Sequence, residues 1–126
     1  MLRACREVLK QGGRLAFYTI YIPPGLPPDV YQRAKGAAPG AAGSRQAHQS
    51  MLASAGFKET REIDVTPQYL ATIRAVLAGR QRHERALRRE AGDAEFERRV
   101  TENGNAAAAV DEGLLRRSLF LARRPR

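Results

Sequence analysis

With 126 residues the chain is long enough for about one domain with a buried core. A hydrophobic share of 43% excludes a wholly disordered polymer, and the single Cys5 excludes an internal disulfide or a multi-cysteine metal site. The net charge of +9 would suit a polyanion, but the arginines spread from Arg3 to Arg126 and rarely interleave with aromatics, which reads against nucleic acid as the main partner.

The first apolar residues, Leu2, Cys5, Val8 and Leu9, recur at the spacing of one helical face. Residues 2–10 therefore read as a helix, with Lys10 in its last turn and a glycine beyond it as the C-cap. "RLAFYTIYI", residues 14–22, reads as a strand. Its alternating sets, Leu15/Phe17/Thr19/Tyr21 and Ala16/Tyr18/Ile20/Ile22, are both largely apolar, the pattern of a strand covered by helices on each side. Gly12 and Gly13 precede this strand, whereas a phosphate-binding glycine loop follows a strand and opens a helix. They read as turn formers, at the sheet edge away from the one where open α/β sheets bind ligands.

The prolines of "PPGLPPD" (Pro23 to Asp29) exclude a helix interior and a central strand, and "GAAPGAAGS" (Gly36 to Ser44) is low in complexity. Val30 and Tyr31, between them, fit a short helical turn. Both segments read as a surface connection, with a lid over the ligand edge as the alternative. Ser44 is placed to cap a helix carrying Ala47, Met51, Leu52 and Ala55 and closed by Gly56. "FKETREIDV" follows as a strand, with Phe57, Ile63 and Val65 on one face and Lys58, Thr60, Glu62 and Asp64 on the other, a pattern for the sheet margin.

Thr66 as N-cap and Pro67 as first helical residue open a helix whose apolar face, Leu70, Ile73, Leu77 and Leu87, reaches toward Ala91. Asp93 is placed to cap a further segment with Phe96 and Val100 inward, and "NGN" (Asn103 to Asn105) is expected to break it. "LLRRSLFLARR" (Leu114 to Arg124) gives a final strand. The order is helix, strand, helix, strand, helices, strand: an α/β layer of about three strands.

"VLKQGGRLAFYTIY" resembles the helix, Gly-Gly turn and fifth strand of class I S-adenosylmethionine-dependent methyltransferases of the Rossmann-like, type 11-like kind. "MLASAGFKETREIDVT" is similar to the helix, Ala-Gly-Phe turn and sixth strand that follow there, and "GLLRRSLFLARRP" to the last strand, which runs antiparallel between those two. The resemblance implies a partial methyltransferase fold over 1–126: two parallel strands, a last antiparallel one, and a helical insertion at 66–113 before it. It implies S-adenosylmethionine as the family cofactor and a small-molecule methyl acceptor. The family's cofactor-binding strand–glycine-loop–helix unit has no counterpart here, so the resemblance is to the C-terminal half alone, and no activity is expected of that half by itself. A strand at 14–22 lacking its neighbour would present an open edge for self-association or for a complementing chain.

Tyr18 and Tyr21, at the ligand end of that strand, and His48, on the following helix, are the candidates for an acceptor wall, with core packing as the competing role for the tyrosines. His83 reads as a solvated surface residue and Cys5 as a small core residue. No cofactor-binding, metal-binding or catalytic residue is assigned. A basic, non-enzymatic module binding RNA or a partner chain is the alternative function. No run approaches the roughly 18 apolar residues of a membrane span. "MLRACREVLKQ" has charges where a signal peptide would be apolar, so a cytoplasmic setting is expected.

Overall fold

The computed structural model describes residues 1–38 and 47–126, and the expected Ser44 cap lies outside them. Helix α1 (Leu2–Val8) is shorter than the expected 2–10. The carbonyls at its end are taken not by a glycine cap but by Nη1 of Arg124. That atom donates to the oxygens of Arg6 at 2.9 Å and Glu7 at 3.4 Å, and to that of Leu9. Leu2, Cys5 and Leu9 pack inward, while Val8, expected on the same face, is 84% exposed.

The glycine pair turns the chain into β1 (Arg14–Tyr21). Gly12 adopts φ +74°, and a Cβ on Gly13 would lie 2.7 Å from the carbonyl oxygen of Lys10. Both amides are engaged within the protein: Gly12 donates to the Arg124 carbonyl at 3.0 Å and Gly13 to that of Lys10 at 2.8 Å. This is a turn, as the order of elements predicts.

Beyond the prolines comes α2 (Pro28–Ala37), ten residues where a short turn was expected, and then α3 (His48–Ser54), closed near Gly56 at φ +89°. Strand β2 (Lys58–Asp64) is bulged: its pairing register shifts between Lys58 and Arg61, and Glu59 adopts φ 53°. An extra residue reverses the face that later side chains present. Phe57 is thus buried beside Leu52 and Phe120, while Ile63 turns to the opposite face and is 38% exposed. The shared Phe57/Ile63 face expected from alternation does not exist, and Glu62 stands on the Phe57 side, opposite Phe120.

Three helices follow: α4 (Thr66–Arg82), α5 (Glu84–Ala91) and α6 (Asp93–Asp111). Asp64 rather than Thr66 satisfies the start of α4, its Oδ1 accepting from the Thr66 amide at 2.8 Å. The expected run to Ala91 is interrupted at His83, which is exposed. Conversely, "NGN" does not break α6, which continues through Gly104. Arg80 Nε donates to Asn103 Oδ1 at 2.8 Å, and Ala106, Ala109 and Val110 pack into the core beyond it. That tertiary contact outweighs the ~1 kcal/mol by which glycine disfavours a helix.

Strand β3 (Arg116–Arg123) completes a sheet of order β1-β3-β2. β3 lies between the other two strands, as expected, but among the described residues no parallel ladder forms: both ladders are antiparallel, and the two strands expected to be parallel, β1 and β2, run the same way without pairing with each other. One sheet face, with Tyr21, Phe120 and Ala122, is covered by Leu2 and Cys5 of α1, Leu9 just beyond it and Leu52 of α3. On the other face only Ile22 and Leu115, at one end, join the core of α2, α4 and α6. Ala16 and Tyr18 are exposed there, so β1 is not covered on both sides as expected.

The two outer strands differ in how they end the sheet. β2 carries Lys58, Glu59, Arg61, Glu62 and Asp64 and a bulge, devices that blunt an edge. β1 carries one charge, Arg14, no proline and no bulge, and among the described residues it pairs with β3 alone. Among those residues no helix is long and apolar enough to cross a membrane.

Candidate functional site

The end of β1 is where the polar side chains gather. Tyr21, on the side of the sheet covered by α3, donates its hydroxyl to Glu62 Oε2 at 2.5 Å. The fully buried Ser118 donates Oγ to the same oxygen at 2.7 Å. The bulge at Glu59 is what makes this possible, since it turns Glu62 toward Phe120 and away from the opposite face. His48, the first residue of α3, stacks on Phe120 at 5.0 Å and meets Tyr21 edge-on at 5.1 Å. Phe17 stacks on Phe120 at 5.5 Å from the other side.

Burial is the main cause that raises the Tyr21 hydroxyl above its ordinary pKa, reinforced by Glu62 and opposed by Ser118 and Arg116. Tyr21 is therefore a protonated donor at neutral pH. Burial lowers the His48 imidazole, with the Glu62 carboxylate acting in the opposite sense. Neutral His48 is held by aromatic contact, and among the described residues no carboxylate or carbonyl is hydrogen-bonded to it to fix its tautomer as a general base requires. The arrangement offers an aromatic wall with a carboxylate behind it, suited to positioning a ligand.

Of the three residues expected to form an acceptor wall, the structure brings Tyr21 and His48 together and places Tyr18 elsewhere. Tyr18 lies on the opposite face of β1, 56% exposed, with the Arg117 guanidinium 4.6 Å above its ring. Tyr69 of α4 flanks the same guanidinium at 5.9 Å. Next to it, a cavity of about 500 Å³ opens between α2, α4 and α6, walled in part by Tyr69, Thr72, Ile73, Val76 and Asn103. Glu62, Ser118, Arg117 and Tyr69 were not singled out from sequence. Ser118 carried a signal, as the one small polar residue on the inward set of an apolar strand.

The described residues do not fit S-adenosylmethionine. The glycine pair before β1 has its amides engaged. The only described strand-to-helix turn on the β1 side with a positive-φ glycine, at Gly25, runs into Pro27 and Pro28, which removes amides that a helix N-terminus would offer an anion.

These features define the class by shape: the chain has the fold of part of an S-adenosylmethionine-dependent methyltransferase. Phosphoethanolamine N-methyltransferase 2 from Haemonchus contortus, in complex with phosphomonomethylethanolamine and S-adenosylhomocysteine, is similar over 99% of this chain and 29% of its own. Its TM-score is 0.84 at 10% identity. A protein from Galdieria sulphuraria assigned as a sarcosine dimethylglycine methyltransferase gives 0.85 at 15% identity, over 98% of this chain and 46% of that one. A cyclopropane synthase from Mycobacterium tuberculosis gives 0.78 at 17% identity, over 98% and 48%. At such identities the likeness is one of fold, and the chain spans about half or less of these structures. No protein-family profile and no curated protein matches the sequence.

Proposed function

We propose that this chain is the C-terminal part of an S-adenosylmethionine-dependent methyltransferase domain, the part that helps to position a small methyl acceptor. The observation that carries the reading is the coverage: nearly the whole chain superposes on methyltransferases of which it spans only 29–48%. The open, undefended edge of β1 supports it, because a strand with a single charge at its start belongs beside another strand. The cofactor belongs to the remainder of such a domain, and the chain alone is inactive. What His48 and Tyr21 contribute is orientation of the acceptor, the main protein contribution to in-line methyl transfer.

Titrating S-adenosylmethionine into the chain by calorimetry tests one half of the proposal: no isotherm is expected, and saturable binding contradicts it. A chimera tests the other half. Replacing the superposing segment of the Galdieria sulphuraria protein with residues 1–126 is expected to give a folded protein that binds the cofactor. A folded chimera that does not bind it would refute the reading.

A further inference from the structure

We infer that Arg117 is an anion receptor: with Tyr18 and Tyr69 it binds the carboxylate or phosphate group of a small ligand whose remainder occupies the cavity between α2, α4 and α6. This goes beyond methyl transfer and lies on the sheet face away from Tyr21 and His48.

The first observation is what Arg117 lacks. Arg33, Arg74, Arg88, Arg98, Arg99 and Arg123 are all in ion pairs. Arg80 bonds to Asn103, and Arg124 to the end of α1. The guanidinium of Arg117 has two tyrosine rings and, among the described residues, no hydrogen-bond acceptor. The segment 39–46 contains no Asp or Glu and so offers Arg117 no carboxylate side chain.

The second observation is that Arg117 is pre-positioned. Its amide donates to Thr66 Oγ1 at 3.1 Å and its carbonyl accepts from the Val65 amide at 2.9 Å, which ties this residue of β3 to the β2–α4 turn. The residue as a whole is only partly exposed. Aromatic rings stabilise the cation through their faces but leave its in-plane N–H donors unused. A planar fork of unused donors is what carboxylates and phosphates bind in bidentate fashion.

The third observation is room. Tyr69, which flanks the guanidinium, also lines the cavity of about 500 Å³, together with Thr72, Ile73, Val76, Asn103 and Glu102, while the guanidinium itself is not part of that lining. A cavity lined by apolar and polar groups, joined through Tyr69 to a cation with unused donors, suits a small ligand with an anionic head at the guanidinium.

The test follows the backbone amide resonances of residues 69 and 117, which the native chain and every variant share, by NMR in the full chain while sodium phosphate or sodium acetate is added at fixed ionic strength. A saturable shift is expected with at least one of them. Tighter phosphate assigns a phosphomonoester head, and tighter acetate a carboxylate. Saturation is expected to vanish in Arg117→Met and to persist in Arg85→Met, on exposed α5. Arg117→Lys keeps the charge and the ring contacts, so the fold is retained, but it loses the fork and should weaken binding about fivefold or more. Linear, unsaturating shifts with both salts, or equal affinity in Arg117→Lys, would overturn the inference.

Discussion

Replacing Glu62 by leucine probes the polar knot at the end of β1. In the native protein one carboxylate oxygen accepts from both Tyr21 and Ser118. The acceptor is exposed, but the donors are not: Ser118 is fully buried and Tyr21 is 8% exposed. Removing the acceptor strands two hydroxyls, each costing about 1–3 kcal/mol when buried without a partner. Tyr21 lies near enough to solvent to recover part of its share, so Glu62→Leu is expected to cost about 2–4 kcal/mol. At a urea dependence of about 2 kcal/mol per molar, the midpoint should fall by about 1–2 M. The same change made in Tyr21→Phe/Ser118→Ala strands nothing, and there it should cost under about 1 kcal/mol. Urea titrations of the four proteins, followed by circular dichroism, provide the cycle. Equal costs in the two backgrounds would refute the shared-acceptor account and leave Glu62 as an ordinary surface residue.

Further predictions concern His48 and the glycine turn. Burial lowers the His48 pKa in the folded chain, so the unfolded chain binds the proton more readily. The stability that neutral His48 contributes is present above the ordinary value of 6.5 and is lost as pH falls from there toward the lowered folded value. The urea midpoint should therefore drop across that window, and His48→Gln should flatten the drop; an unchanged profile would contradict the stacked, half-buried placement. Gly13→Ala puts a Cβ against a backbone oxygen at 2.7 Å. It should destabilise by about 1–3 kcal/mol through forced backbone shift, and a melting temperature equal to the native protein's would show that the turn is not the tight one seen here.

Much of the architecture was legible because it rests on local chemistry. The apolar run at 14–22 and the glycines before it gave the strand and its turn, and the resemblance placed the last strand between the other two. What local pattern could not show is the bulge at Glu59, which exists only relative to β3 and exchanges the faces of Ile63 and Glu62. For the same reason Glu62 was not seen as a partner of Tyr21. "NGN" was read as a helix stop because composition is local, whereas the packing of Ala106, Ala109 and Val110 that carries α6 through it is not. Tyr18 and Tyr21 could have been separated at once: an even and an odd position of one strand face opposite ways. Arg117 sits opposite Ile20 and so on the Tyr18 face by the same rule.

The account turns on β1 being an edge strand awaiting a neighbour, and native-state hydrogen exchange of the dilute chain measures this directly. In β3, between two partners, both alternating sets of amides should be protected. In β1 every second amide, directed away from β3, should exchange nearly as fast as an unfolded peptide. Protection of all the β1 amides at a concentration where the chain sediments as a monomer would contradict the account, since the outer edge would then be paired within this same polypeptide.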